Sequence, residues 1–394
     1  MTPDEFLGRV RDLLPAIRER AARAEALRQL PDETFADFQE ARVLRAMQPK
    51  RYGGFELDPG VHYQAVTEIG AVCGSTGWVF GVMGAHNWHL AVFPPQAQED
   101  VWGEDDGAQL ATSLAPTGTV ERAPGGFRLS GRWSFASGCD HCQWVVLGGI
   151  APPPMDKSGE EGAPPDARTF LLPRSDYVID DNWHVMGLCG TGSKDIVVDG
   201  AFVPDYRTHS YRDAFHLKNP GMAVNDAPLY RLPFSLVFAY TLGAAAIGAA
   251  TGALASFREQ QQRRLNIRDR SRVAEDPFTQ LRLAESAAEI DAAHERMLGN
   301  FAEMMRLARA GAEIPLSFRA RVRWDSGKAT DWSIQAVDRL MMASGGRGIF
   351  LGNPVQRAWR DVHAMQAHAS NNLERAAAVF GRSEFGLPPT DIRF

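Results

Sequence analysis

The sequence predicts an α+β protein that is mostly α, with an N-terminal helical domain over residues 1–108, a central β-domain over 109–207 and a C-terminal helical bundle over 208–394. Three observations predict it. Residues 3–29 place Phe6, Val10, Leu13, Leu14 and Ile17 at helical spacing. Residues 110–150 and 168–204 are short runs of strand formers separated by turn signals. Residues 278–310 carry Leu283, Ala287, Ile290, His294, Met297, Phe301, Met304 and Ala308 at alternating steps of four and three, one continuous packing stripe. The elements come grouped instead of alternating, which disfavours a doubly wound nucleotide fold.

Along the chain, Pro31, Pro49 and the pair Pro94–Pro95 punctuate a mainly helical stretch over 3–105. GGFRLSGRWSFASG (125–138) reads as a hairpin with alternating side chains, and WVVLGGI (144–150) and TFLLP (169–173) as buried strands. Residues 151–167, rich in Pro, Gly and charge, read as a mobile surface loop. The stretch around 234–257 is rich in Ala and Gly and broken by polar residues, so it predicts a buried helix and not a membrane span. Gly311 ends the helix of 278–310 and Pro315 opens the next; further helices are expected over 316–343 and 354–381.

Hydrophobic residues make up 44% of the chain, enough for a large core, and the net charge of −6 includes no basic block. Nucleic acid and membrane are therefore poor partners. The charged, amphipathic N-terminus has no apolar signal-peptide core, which predicts a cytoplasmic protein. Four cysteines in a chain this size do not make a disulfide scaffold. Cys139 and Cys142 form a C-x-x-C, but zinc needs a second ligand pair, and Cys73 and Cys189 stand alone; no metal is expected. GLCGTG (187–192) lacks the strand–turn–helix context of a dinucleotide fingerprint.

Several segments then resemble one family, in the right order along almost the whole chain. ATSLAPTG (111–118) matches its first flavin-binding loop, LSGRWSFASG (129–138) a hairpin of the form G-x-K-x-W-I-T-N-G, and MGLCGTGSKDIVVDGAFVP (186–204) its closing strand pair. GGRG (345–348) matches a glycine-rich helix end, and WRD (359–361) an Arg-Asp pair opening the last core helix. Together they resemble the acyl-CoA dehydrogenase superfamily. HNWHL (86–90), SFASGCDHC (134–142), HASNN (368–372) and EFGLPP (384–389) resemble one branch of it. That branch holds the oxygenase components of two-component aromatic monooxygenases that run on reduced flavin. The likeness is greatest to those hydroxylating phenolic secosteroids, and weaker to the 4-hydroxyphenylacetate 3-hydroxylases.

The resemblance implies an acyl-CoA dehydrogenase-like fold with a central β-barrel-like domain and a C-terminal four-helix bundle, assembled as a homotetramer. It implies reduced FMN as cofactor, with FAD the alternative, O2 as co-substrate, and a separate NAD(P)H:flavin reductase as partner. Oxygen would add at flavin C4a, and the terminal oxygen of that hydroperoxide would attack an aromatic carbon ortho to a phenolate.

Dehydrogenases of this fold commonly carry a glutamate base eight residues beyond the aspartate of the Arg-Asp pair. Here that position is Ala369, and its neighbour is His368. An imidazole with an ordinary pKa of about 6.5 suits removal of a phenolic proton. Some dehydrogenases place the glutamate on another helix, so the dehydrogenase reading stays open. His363, five residues earlier, would face about 140° away on a continuous helix. The resemblance places His86 over flavin and substrate, with a satisfied core histidine as the alternative; His89, Trp88 and Phe93 read as packing. Ser113, Ser137, Thr191 and Ser193 fall in the flavin-like segments, where a hydroxyl beside flavin N5 would slow peroxide loss. Trp133 would stack beside the ring. Each of these also suits a turn or the core. Arg263 would approach the flavin phosphate, with a solvated helix-end charge as the alternative. Gly345 and Gly346 would meet a neighbouring subunit's flavin. The rival readings are an acyl-CoA dehydrogenase, a same-fold oxygenase acting on nitrogen, sulfur or indole, and a non-enzymatic relative.

Overall fold

The computed structural model describes residues 1–152 and 166–389; most of the loop expected over 151–167 lies outside them. The chain opens with α1 (Pro3–Leu27), α2 (Asp32–Glu40), α3 (Pro59–Gly70), α4 (Gly74–Ala91) and α5 (Pro95–Trp102). Thr2 and Glu5 start α1 reciprocally: the Glu5 amide donates to the Thr2 hydroxyl at 3.2 Å, and the Thr2 amide to the Glu5 carboxylate at 2.8 Å. Every residue of α4 is buried.

Burial of α4 follows from its neighbours, α3, β1 (Leu110–Ser113) and α7 (Phe234–Arg263). Here backbones approach each other directly. A Cβ on Gly77 would stand 2.6 Å from the Gly70 Cα, and one on Gly252 2.1 Å from the Ala71 carbonyl oxygen, so only glycine fits. Helix α7 is long and apolar enough to cross a membrane, yet 89% of its apolar window is buried inside the protein.

The remaining strands are β2 (Thr119–Ala123), β3 (Gly126–Ala136), β4 (Trp144–Ala151), β5 (Asp166–Pro173), β6 (Val178–Asp180), β7 (Lys194–Pro204) and β8 (Thr208–Ser210). They do not close into a barrel. Among the described residues they make two four-stranded sheets, ordered β1-β4-β5-β8 and β2-β3-β7-β6. The sheets meet through buried rings: Phe127 of β3 lies edge-on to Phe170 of β5 at 5.4 Å. Strand β8 pairs with β5 beyond the boundary expected at 207. The stretch 125–138 also departs from expectation. It is one strand, whose hairpin partner is β2, turned at Gly125 (φ +77°). Gly131 (φ +146°) sits at an irregularity that the strand passes through.

After the short α6 (Tyr211–Phe215) come α7, α8 (Pro277–Arg309), α9 (Leu316–Ser344), α10 (Pro354–Gln366) and α11 (Leu373–Glu384). Helices α7 and α9 pack on each other and on both α8 and α10. The α8 stripe buries Ile290, Met297, Phe301, Met304 and Ala308. The helix expected over 354–381 is broken. A single 3-10 turn, Ala369–Asn371, separates α10 from α11. His368 and Asn372 turn their side chains onto the amides of Ser370 and Arg375, capping new turns in place of continuing the old one.

Candidate active site

Three elements meet at the break that carries His368. Trp78 of α4 stands edge-on to its imidazole, with centroids 5.8 Å apart, and Phe238 of α7 is tilted against it at 5.9 Å. Phe238 also stacks on His86 at 6.0 Å. One phenyl ring thus touches both histidines singled out from the sequence.

The two histidines differ in what they leave free. His86 Nδ1 lies 2.8 Å from the Leu110 carbonyl and Nε2 2.8 Å from the Thr112 hydroxyl. A carbonyl only accepts, so Nδ1 carries the proton and Nε2 accepts from Thr112. Burial pushes the His86 pKa down to about 4. His368 Nδ1 accepts the Ser370 amide at 3.1 Å, so the neutral ring carries its proton on Nε2, which has no partner among the described residues. Burial, then the nearby Arg323 guanidinium, lowers its pKa to about 4. His368 is only partly buried by exposed area, but the Trp78–Phe238 corner disfavours its imidazolium, which favours a hydrogen-bond donor over the base near neutrality expected from the sequence. At pH 7 this ring is neutral and presents an N–H.

A buried hydroxyl chain adjoins His368 through Trp78. The Trp78 indole donates to Ser137 Oγ at 3.1 Å; Ser137 and Ser193 hydroxyls lie 2.7 Å apart, and Ser193 and Thr191 2.6 Å apart. Thr191 donates to the Leu188 carbonyl at 2.9 Å. The Leu188 amide donates to Asp361 Oδ1 at 2.7 Å, which opposes the burial that raises this carboxyl to about 6. Nearby, Ser113 donates to the Ser134 carbonyl at 2.7 Å. The backbone around this wall is strained: Phe135 (φ +70°) and Leu188 (φ +55°) are left-handed without being glycine, beside Gly138 and Gly192. Phe135 is 67% exposed.

The structure therefore gathers Ser137, Thr191 and Ser193, with Ser113 close by on β1. Trp78 and Thr112 belong to the same neighbourhood and were missed. For Thr112 the available signal was its place beside Ser113; Trp78 lies in an evenly apolar helix and carried none. Trp133 is elsewhere, fully buried between the sheets, its indole donating to the Gly148 carbonyl at 2.8 Å. Arg263 lies 25 residues, or about 37 Å, along α7 from Phe238. Its side chain is 80% exposed and pairs with Glu259 at 3.0 Å. Its neighbour Arg264 holds the Ser344 carbonyl at 3.0 Å, and Gly345 (φ +63°) lies against that guanidinium. His363 pairs with the Trp359 carbonyl at 2.8 Å and with Asp338. Cys139 and Cys142 are buried thiols bonded to backbone carbonyls, and burial pushes Cys139 up to about 12. Among the described residues no three potential ligands cluster for a metal.

The donor set suits a flavin and a phenol. Ser137 and Ser193 offer lone pairs to ring N–H groups, His368 offers an N–H to an oxyanion, and Trp78 and Phe238 supply apolar cover.

Comparison with known proteins bears on the same chemistry. Residues 4–104 match the acyl-CoA dehydrogenase N-terminal domain and residues 240–373 its C-terminal domain. The chain is 44% identical to the flavin-dependent monooxygenase oxygenase subunit HsaA of Rhodococcus jostii strain RHA1, over 98% of this chain and 99% of that one. It is 38% identical to the FADH2-dependent resorcinol hydroxylase oxygenase component of Rhizobium sp. strain MTP-10005, over 98% and 95%. It superposes on the crystal structure of 3-HSA hydroxylase from Rhodococcus sp. RHA1 with a TM-score of 0.94, at 42% identity and 99% coverage of both chains.

Proposed function

The chain belongs to the flavin-dependent monooxygenases of the acyl-CoA dehydrogenase fold, among their oxygenase components, and we propose that it hydroxylates a phenol ortho to its hydroxyl, using reduced flavin from a separate NAD(P)H-dependent reductase. The observation that carries this is the Nε2–H of His368, unpaired among the described residues, next to Trp78, which donates to the hydroxyl wall. When bound, the reduced flavin supplies the electrons that activate O2. Ser137 and Ser193 would hold its ring through their lone pairs, with Ser113 and Thr191 supporting them. His368 would donate Nε2–H to the phenolic oxygen as negative charge develops on it, while Trp78 and Phe238 would exclude water. His86, with both nitrogens engaged, orients Thr112 and Phe238.

A dehydrogenase would need a free carboxylate at this place. Asp361 is the nearby candidate, and it is occupied by the Leu188 amide. The relatives named for 3-HSA and for resorcinol support a phenolic substrate, and the secosteroid-like motifs favour a fused-ring one. Reduced FMN is the cofactor we assign, with FAD the alternative. Met342, Ile349, Phe350 and Leu351 are each at least 67% exposed around Gly345 and Gly346, which supports a homotetramer in which this end, with Arg263, meets a neighbour's flavin. We divide the chain at 108/109 and, so that β8 stays with its sheet, just after Ser210 instead of at 207/208, and place it in the cytoplasm, where reduced nicotinamide is available.

The test combines the chain, a flavin reductase, NADH, FMN and a panel of phenols under air. A catechol product carrying one atom of O2, with no NADH oxidation by the chain alone, is expected. NADH oxidation without reductase, or bleaching of bound FAD by an acyl-CoA with no hydroxylated product, overturns the proposal.

A further inference from the structure

The hydroxyl wall has a fixed polarity, set by its two ends. At one end the Trp78 indole only donates, to Ser137; at the other the Leu188 carbonyl only accepts, from Thr191. Between them lie the contacts Ser137–Ser193 and Ser193–Thr191. Each hydroxyl has one proton. Thr191 gives its proton to Leu188, so Ser193 must donate to Thr191, and Ser137 must donate to Ser193. No hydroxyl proton is left for a ligand, and what remains on Ser137 and Ser193 is lone pairs. The Leu188 end is pinned from both sides, by its amide on Asp361 and by the Trp183 indole on its carbonyl at 3.0 Å. The neighbouring hydroxyls are committed in the same sense: Ser113 to the Ser134 carbonyl, Thr112 to His86 Nε2.

We infer that Ser193 and Thr191 are positioning residues that lock Ser137 as a hydrogen-bond acceptor, and that the wall thereby selects reduced over oxidised flavin. The inference rests on the proposed function, in which the flavin ring lies against Ser137. Reduced flavin carries N–H at N5 and donates to Ser137. Oxidised flavin has a bare nitrogen there, and two lone pairs would face each other in a buried site. The oxygenase then retains the form its reductase delivers and releases the oxidised form after turnover. Gain of one hydrogen bond against one unpaired acceptor corresponds to about tenfold or more in the ratio of affinities.

The test is equilibrium binding of reduced FMN, under anaerobic conditions, and of oxidised FMN. Wild type, Ser193→Ala, Thr191→Val and Ser193→Thr are compared, with circular dichroism to confirm folding. Wild type should favour reduced FMN by about tenfold or more. Ser193→Ala and Thr191→Val each free the Ser137 proton and should narrow that preference by about tenfold, chiefly by tightening oxidised FMN. Ser193→Thr keeps a hydroxyl and should retain the wild-type ratio. The same change should appear as a lowered preference in the bound-flavin reduction potential. Equal binding of both forms by wild type, or a ratio unchanged in both disrupted variants, overturns the inference and leaves the function standing. Binding of neither form by wild type overturns the function itself.

Discussion

The Leu188 amide lies 2.7 Å from the Asp361 carboxylate, and this contact ties the turn that carries Thr191 to α10, which ends just before His368. The same side chain occupies the space above Gly74 at the start of α4, where a Cβ would come within 2.7 Å of Asp361 Oδ2. One buried carboxylate therefore sets the relative positions of the hydroxyl wall, of Trp78 on α4 and of the His368 turn.

Removing that carboxylate should loosen all three. Asp361→Ala leaves the Leu188 amide buried and unpaired, at a cost of about 1–3 kcal/mol. Asp361→Asn keeps an acceptor and should lose less. Urea midpoints for the two variants check this; equal midpoints for Asp361→Ala and wild type would show that the contact carries no stability.

The histidines predict acid lability. Burial lowers His62, His86, His209 and His368 to about 4 from an ordinary 6.5. Between those values the unfolded chain binds protons that the folded chain does not, so stability is lost as pH falls from 6.5 towards 4. Asp361, raised to about 6, works in the opposite sense: folded it holds a proton that the unfolded chain has released, so its contribution grows as pH falls from 6 towards 4. Four groups outweigh one. Melting temperature should drop between pH 7 and pH 5, and more steeply in Asp361→Asn. A flat profile would contradict the buried neutral histidines.

His368→Ala should bind reduced FMN as wild type does while hydroxylation falls about 10²–10³-fold, the effect of losing one donor to a developing oxyanion. The pH profile separates the two roles considered for this residue. If His368 were the base, the defect would fade as pH approaches a phenol's own pKa of about 10. As a donor through Nε2–H, its loss should persist there. Product yield per O2 consumed, measured at pH 7 and 9, decides between them.

The exposed apolar end around Gly345 should govern assembly. Replacing Phe350 and Leu351 with Asp places charge in the proposed subunit contact, where an unpaired buried charge is costly. Light scattering should show smaller assemblies with weaker flavin binding. An unchanged mass would remove this end from the interface.

Much of the architecture was legible locally. The Thr2–Glu5 cap of α1, the apolar run of α7 and the stripe of α8 are signals contained within a few turns. The motifs around Ser137, Thr191 and Ser193 pointed to residues that the fold does bring together. The misreadings fall where one signal is outweighed by another, distant in the first case and local in the second. The stretch 125–138 reads as a hairpin by itself, but β7 on one side and β2 on the other keep β3 continuous. The periodicity of 354–381 reads as one helix, but the capping side chains of His368 and Asn372 divide it.

The sequence by itself determined most of the helical and strand segments, and which hydroxyls and histidines were candidates, because periodicity and motifs are properties of neighbouring residues. Only the tertiary structure decided what those groups can do. Trp78 reaches Ser137 across 59 residues, and Asp361 reaches Leu188 across 173. The direction of each proton in the wall depends on its two ends, and these meet only when the helical and β regions are packed together. His368 likewise meets the rings of Trp78 and Phe238, which push its pKa down, only in the fold. Desolvation and hydrogen-bond polarity are properties of an environment, and no single segment contains that environment.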